Sequence, residues 1–203
     1  DEEGELAPCL AESWAVSDDH LTWTFQIREG VKFSNGDMMT PEMVKSSLER
    51  TFNLSPRAAT FFEPVAMEVD GQQLKITTSE PVAILPGSLA DPLFLIVNTS
   101  VDDSTFAMEG PVCTGPYAVE SFSPTDACVV VRNEYYWGGD VPLDRVTFKC
   151  VDDQTTRSMA LQTGEIDIAY NLKTENVVEF EGNPDYQIQK LESLRSTYAF
   201  MNQ

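Results

Sequence analysis

Thr22-Trp23-Thr24-Phe25-Gln26-Ile27 alternates apolar and polar side chains without a break. With a period of two, Trp23, Phe25 and Ile27 share one face and Thr22, Thr24 and Gln26 the other, which is the pattern of a half-buried strand. A short strand over 31–33 follows and leads into Asn35-Gly36, a dipeptide that tolerates the positive φ of a tight turn. Thr40-Pro41 then opens a helix. Thr40 can cap the first turn, and Pro41 lacks only an N–H that the first turn leaves unpaired. Val44, Leu48 and Phe52, spaced i, i+4, i+8, form its apolar stripe.

Outward from this stretch the same logic continues. A polar break over 53–59 leads to Phe61-Phe62. Val65, Met67 and Val69 alternate, Asp70-Gly71 turns the chain, and Leu74, Ile76 and Thr78 alternate back, so a hairpin is expected. Pro81 and Pro86 bound a short helix-like piece, 94–97 reads as a strand, and 98–110 as a polar loop. After Pro111 the texture changes. Thr114-Gly115-Pro116-Tyr117 opens a strand to Phe122. Strands over 127–132 and 146–151 flank the loop Tyr135-Tyr136-Trp137-Gly138-Gly139. Asp153 caps a helix over 154–163 that Gly164 stops, and 166–170 reads as a strand. Strand, helix and strand in succession predict a right-handed βαβ unit. A short helix over 175–181 ends at Gly182, and strands are expected at 186–191 and 197–201. No internal repeat is visible, and a domain boundary is expected at 110–112.

Composition narrows the function. Hydrophobic residues make up 42% of the 203, enough for a core of ordinary size. Asp and Glu total 33 against 13 Lys plus Arg, a net charge of -20. That balance argues against a nucleic-acid partner, which needs a Lys/Arg surface, and against a basic membrane-surface helix. No apolar run approaches the ~20 residues that span a bilayer. Asp1-Glu2-Glu3-Gly4 has neither the start methionine nor the basic and apolar regions of a leader, so the chain reads as beginning inside a longer protein.

Catalysis finds little support. The single histidine, His20, lies in the Ser17-Asp18-Asp19-His20 turn, and both a Ser-His-Asp triad and a Cys113–His20 pair depend on it. No phosphate-binding glycine loop and no calcium loop is present. Acidic pairs such as Asp18-Asp19, Asp102-Asp103 and Asp152-Asp153 read as solvated turns and helix caps. None of the four cysteines, Cys9, Cys113, Cys128 and Cys150, has C-x-x-C spacing, so a zinc site is not indicated. Recognition chemistry remains. Arg57, Phe61, Phe62, Trp137, Arg195, Tyr198 and Phe200 lie near chain breaks, where arginine can hold a carboxylate and aromatics can wall a pocket. Each has a plainer reading as well: Phe61 and Phe62 as core, Arg57 as a solvated surface residue, Trp137 as packing for its own loop.

Several segments taken together resemble a known family. They are Glu5-Leu6-Ala7-Pro8, Leu10-Ala11-Glu12-Ser13-Trp14, Thr22-Trp23-Thr24-Phe25, Ile27-Arg28-Glu29-Gly30-Val31-Lys32-Phe33 and Asn35-Gly36-Asp37. Thr114-Gly115-Pro116-Tyr117, Arg132-Asn133-Glu134-Tyr135-Tyr136-Trp137-Gly138-Gly139 and Leu161-Gln162-Thr163-Gly164-Glu165-Ile166-Asp167 follow in order. This resembles the peptide/nickel family (family 5) of extracytoplasmic solute-binding proteins of ABC importers. The implied fold is α/β (α+β), periplasmic-binding-protein-like type II, here the first lobe only: a mixed β-sheet with helices and a family-specific extra subdomain. Residues 1–111 correspond to that extra subdomain and residues 112–203 to part of the first α/β lobe.

The resemblance implies capture of di- or oligopeptides, or of a nickel chelate, and delivery to a membrane permease, with no enzymatic activity and no cofactor. It implies a monomer, periplasmic or extracellular, lipid-anchored in Gram-positive bacteria. A ligand-sensing or interaction protein on the same scaffold, feeding a signalling partner, is the alternative. Ligand contacts carry over to Arg195, Tyr198 and Phe200 on the last strand and to Arg57, Phe61 and Phe62 after the first helix; no metal ligand carries over. Cys113 stands where relatives have glycine, and 91–96 lacks an arginine of nickel-type relatives, which favours peptides. If the strands holding Cys128 and Cys150 pair antiparallel, the two cysteines become cross-strand neighbours able to form a disulfide outside the cytoplasm.

Overall fold

The computed structural model describes residues 5–190, apart from the side chains of residues 107 and 108. Strands Ala11–Val16 (β1) and Thr22–Ile27 (β2) pair antiparallel, with Trp14 opposite Phe25 and Val16 opposite Trp23. In β2 the alternation has its expected result: Trp23, Phe25 and Ile27 are buried while Thr22, Thr24 and Gln26 are half-buried. Helix Pro41–Leu54 (α1) starts at its cap, where Thr40 Oγ1 accepts from the Met43 N–H at 3.3 Å. The hairpin forms as Pro64–Asp70 (β3) and Gln73–Thr78 (β4), and Gly71 takes the positive φ, 59°, that the turn needs. These strands make an antiparallel sheet in the order β1-β2-β4-β3. Val44 and Leu48 of α1 join Trp23, Phe25, Ile27, Leu74 and Ile76 in one core.

Three local readings change in the structure. Residues 31–33 give only an isolated bridge, Lys32 to Met38, although Val31 and Phe33 are fully buried. They plug the core instead of extending the sheet. After the short helix Leu85–Ser88 (α2), the expected strand at 94–97 is a 3-10 turn, Pro92–Phe94, followed by a bridge from Val97 to Cys113. Pro92 has no N–H to give a ladder, and its fixed φ suits the turn. Inside the supposed loop lies helix Asp103–Glu109 (α3), capped by Asp102 Oδ1, which accepts from the Ser104 N–H at 2.8 Å.

A second antiparallel sheet has the order β5-β6-β7, from Tyr117–Phe122 (β5), Ala127–Arg132 (β6) and Arg145–Lys149 (β7). Its register corrects the cysteine expectation. Cys128 stands opposite Phe148, β7 ends at Lys149, and all four cysteines are free. Cys150 is therefore not the cross-strand neighbour of Cys128. The chain forms two compact units that divide between Lys149 and Cys150. Residues 112 and 113 are hydrogen-bonded into the first unit: Val112 O accepts from Asn98 N and Cys113 O from Ser34 N, each at 2.8 Å.

The second unit holds helix Gln154–Gln162 (α4), capped by Asp153, and helix Thr174–Val177 (α5), continued by a 3-10 turn at Val178–Phe180. Phe180 is buried and meets Tyr186 edge-on at 4.7 Å. Arg157 clamps the backbone by donating to Val151 O and Asn171 O. The expected strand at 166–170 is not formed, and Ile168 and Tyr170 are each 83% exposed. No βαβ unit exists among the described residues, because a strand needs a hydrogen-bonded neighbour and none runs beside this segment. Residues 186–190 are likewise irregular. The strand expected at 197–201 lies outside the described residues.

Candidate functional site

Helix α1 ends at Ser55, whose N–H donates to Thr51 O. The chain then tightens. Ala58 N donates to Ser55 O at 3.0 Å, and both Thr60 N and Thr60 Oγ1 donate to Arg57 O, at 3.0 and 2.7 Å. Ala58 is fully buried and anchors this 3-10 turn. The turn brings Arg57 and Phe61 to one surface, with the guanidinium carbon 5.5 Å from the ring centroid. That spacing is within cation–π range.

Phe61 is half-buried and meets Phe94 edge-on at 5.5 Å. Phe62 behaves differently. Only 4% exposed, it packs against Phe52 at 5.1 Å and Phe94 at 5.4 Å in the core. Of the expected pair, Phe61 borders the surface and Phe62 holds the turn from beneath. Arg195, Tyr198 and Phe200 lie outside the described residues.

Sequence reading overlooked Asp91. Its Oδ1 accepts from the Leu93 N–H at 2.9 Å, capping the Pro92–Phe94 turn, while its Oδ2 stands 3.5 Å from Arg57 Nη2. The usable signal was Asp91-Pro92, an acidic cap before a proline at the first position of a turn. The turn is held near α1 by Ser47, which is buried and both donates to Leu95 O at 3.3 Å and accepts from Val97 N at 3.0 Å. The Arg57 side chain is still 66% exposed. A guanidinium on an aromatic ring, facing solvent, can receive a carboxylate through paired N–H bonds.

Trp137 stacks under Arg28, 4.5 Å from guanidinium carbon to centroid, and Arg28 also pairs with Glu12 at 3.2 Å and donates to Cys9 O at 2.9 Å. Tyr135 lies 5.3 Å from Lys32 Nζ and contacts Gly36. The aromatic loop thus packs against residues 28–36, with Arg28 engaged by Trp137, Glu12 and the Cys9 carbonyl. An open depression of about 590 Å³ is lined by Glu49, Arg50, Asn53, Thr99 and Asp102, among others, but includes none of Arg57, Phe61 and Asp91. Its one cation, Arg50, is bound to Asp103 at 2.7 Å. Among the described residues no group of His, Cys, Asp and Glu is arranged to hold a metal.

Residues 5–203 match the bacterial extracellular solute-binding proteins, family 5. The glutathione-binding protein GsiB of Escherichia coli O1:K1 is 32% identical over 209 positions, covering all of this chain and 41% of the relative. The nickel ABC transporter of Bacillus halodurans superposes with a TM-score of 0.84 at 40% identity, over 91% of this chain and 38% of that one. DppA of Helicobacter pylori, an ABC transporter-associated periplasmic binding protein solved with the peptide STSA, gives 0.78 at 25% identity, over 89% and 41%. The chain thus spans about two fifths of its relatives' length, and its fold is that of the periplasmic-binding-protein-like type II proteins. Match, identity and superposition agree along nearly the whole chain: it belongs to the bacterial extracellular solute-binding proteins of family 5.

Proposed function

We propose that the whole protein captures short peptides outside the cytoplasmic membrane and delivers them to an ABC permease, with Arg57 receiving a ligand carboxylate. The observation that carries this reading is the Arg57 guanidinium, 66% exposed and set 5.5 Å from the Phe61 ring. Similarity to a glutathione-binding protein and to a protein solved with the peptide STSA supports the choice of peptide. In this reading Arg195, Tyr198 and Phe200 supply further ligand contacts, and the protein acts as a monomer, lipid-anchored where the host is Gram-positive. It encloses its ligand without changing it.

A nickel chelate is the second reading, favoured by 40% identity to the Bacillus halodurans nickel transporter. A chelate presents carboxylates too, so Arg57 would serve either ligand. Mass spectrometry and elemental analysis of whole protein purified without denaturation separate the two. Peptides at near-stoichiometric yield, reduced in Arg57→Gln, are expected. Nickel at that yield with no peptide would establish the second reading instead.

A further inference from the structure

We infer that Asp91 is a built-in competitor for the ligand carboxylate, occupying Arg57 until a ligand displaces it. The inference rests on the reading of Arg57 as a ligand contact and adds how that contact is regulated. At 3.5 Å the Asp91 Oδ2 to Arg57 Nη2 contact is an ion pair at the edge of hydrogen-bond range, so the attraction is mostly Coulombic and weakened by solvent. The two partners are unequally held. Asp91 is 27% exposed against 66% for Arg57, and its Oδ1 is fixed on the Leu93 N–H at 2.9 Å. The carboxylate therefore stays in place while the arginine can turn away.

Phe61 gives the arginine a second resting surface that survives this exchange, since the cation–π contact at 5.5 Å needs no carboxylate. Among the described residues Asp91 is the only carboxylate paired with Arg57. Two consequences follow. An incoming carboxylate has to overcome the Asp91 pair and then lies near a fixed negative charge. A ligand without a carboxylate gains nothing at Arg57 and leaves the pair intact. Asp91 thus makes the site discriminate against weak or singly bonded anions, which cannot outcompete a carboxylate already present.

The test is calorimetry of the whole protein with glutathione and with trialanine, each as free acid and as C-terminal amide. Asp91→Asn keeps an oxygen for the Leu93 N–H and removes the charge. It is expected to bind the free acids about two- to fivefold more tightly than wild type, as loss of a competing exposed ion pair predicts. The gain should vanish for trialanine amide, which has no carboxylate, shrink for glutathione amide, which keeps only its glutamyl carboxylate, and vanish in an Arg57→Gln background. If Arg57→Gln binds as wild type does, the reading of Arg57 as a ligand contact fails. If Arg57→Gln weakens binding but Asp91→Asn equals or falls below wild type, only the competitor role fails. No measurable binding of either probe to Asp91→Asn also overturns the competitor role.

Discussion

Asn98 donates through Nδ2 to Asp37 Oδ2 at 2.8 Å, linking two segments 61 positions apart. Asn98 is fully buried, its Oδ1 accepts from the Ser100 N–H at 3.0 Å, and Asn35 Nδ2 donates to the same Asp37 oxygen at 2.7 Å. One amide thus holds the turn at 35–37 against the strap leading to α3. Asn98→Ala leaves the Ser100 N–H without its acceptor. It is expected to lower stability by about 1–3 kcal/mol, the usual net worth of the two hydrogen bonds that the buried amide makes. Urea unfolding of the whole protein measures it, and an unshifted midpoint would show the network to be dispensable.

Gly110 and Gly30 separate backbone strain from collision. Both have positive φ, 79° and 74°. A Cβ on Gly30 meets nothing within 4 Å, whereas one on Gly110 would fall 2.7 Å from Val119 Cγ1 and 2.9 Å from Val119 Cβ. Gly30→Ala is expected to cost about 1–2 kcal/mol from conformation alone. Gly110→Ala should cost more, and Gly110→Ala with Val119→Ala should recover part of the excess. Equal melting temperatures for the two single variants would contradict the clash.

Phe61 and Phe62 divide core from surface. Phe62, packed between Phe52 and Phe94, should lose about 3–5 kcal/mol on replacement by alanine. Phe61→Ala should cost less stability but weaken peptide binding, because the arginine loses its platform. Thermal unfolding beside calorimetry reads both effects. A Phe61 variant with wild-type affinity would remove the ring from the site.

The cysteines differ in reach. Burial pushes the Cys113 thiol up to about 11, so almost no thiolate exists there at pH 8. Cys9 and Cys150 are exposed. Native protein treated with iodoacetamide at pH 8 should label Cys9 and Cys150 first and Cys113 last. Denatured, unreduced protein should titrate four thiols, in line with the four free cysteines. A count of two would reinstate a disulfide.

Asp153 gives the stability a predictable acid dependence. The Thr156 N–H and then the Thr156 hydroxyl hold its carboxylate below the ordinary 3.8, with help from the charge of Arg157. The folded value is the lower one. The cap's contribution is therefore complete above the unfolded value, near 3.8, and is lost as pH falls through the folded value. A carboxyl chemical-shift titration should place Asp153 below 3.8, and Thr156→Val should raise the midpoint toward it. A midpoint at or above 3.8 in the unmodified protein would contradict the cap.

Local periodicity carried much of the fold. The 22–27 alternation, the Asp70-Gly71 hairpin and the Thr40-Pro41 helix start each depend on side chains and backbone within a few residues, so they are legible one-dimensionally. β1 was not found that way, because only half of its residues reach even partial burial and its pairing with β2 supplies what its pattern lacks. Helix α3 was hidden by its polar composition. The strand at 166–170 fails for the opposite reason: its own pattern suits a strand, but a strand exists only beside another.

The candidate site divides along the same line. The residue order alone indicated Arg57 with Phe61 or Phe62 as recognition chemistry, and an acidic chain with one histidine as poorly suited to catalysis. Which phenylalanine borders the surface, and the approach of Asp91 to Arg57, were decided only by the tertiary structure. A 3-10 turn anchored by Ala58 and a second turn held by Ser47 meet from segments more than thirty positions apart. Such a meeting depends on how α1 packs, which no stretch of sequence encodes locally.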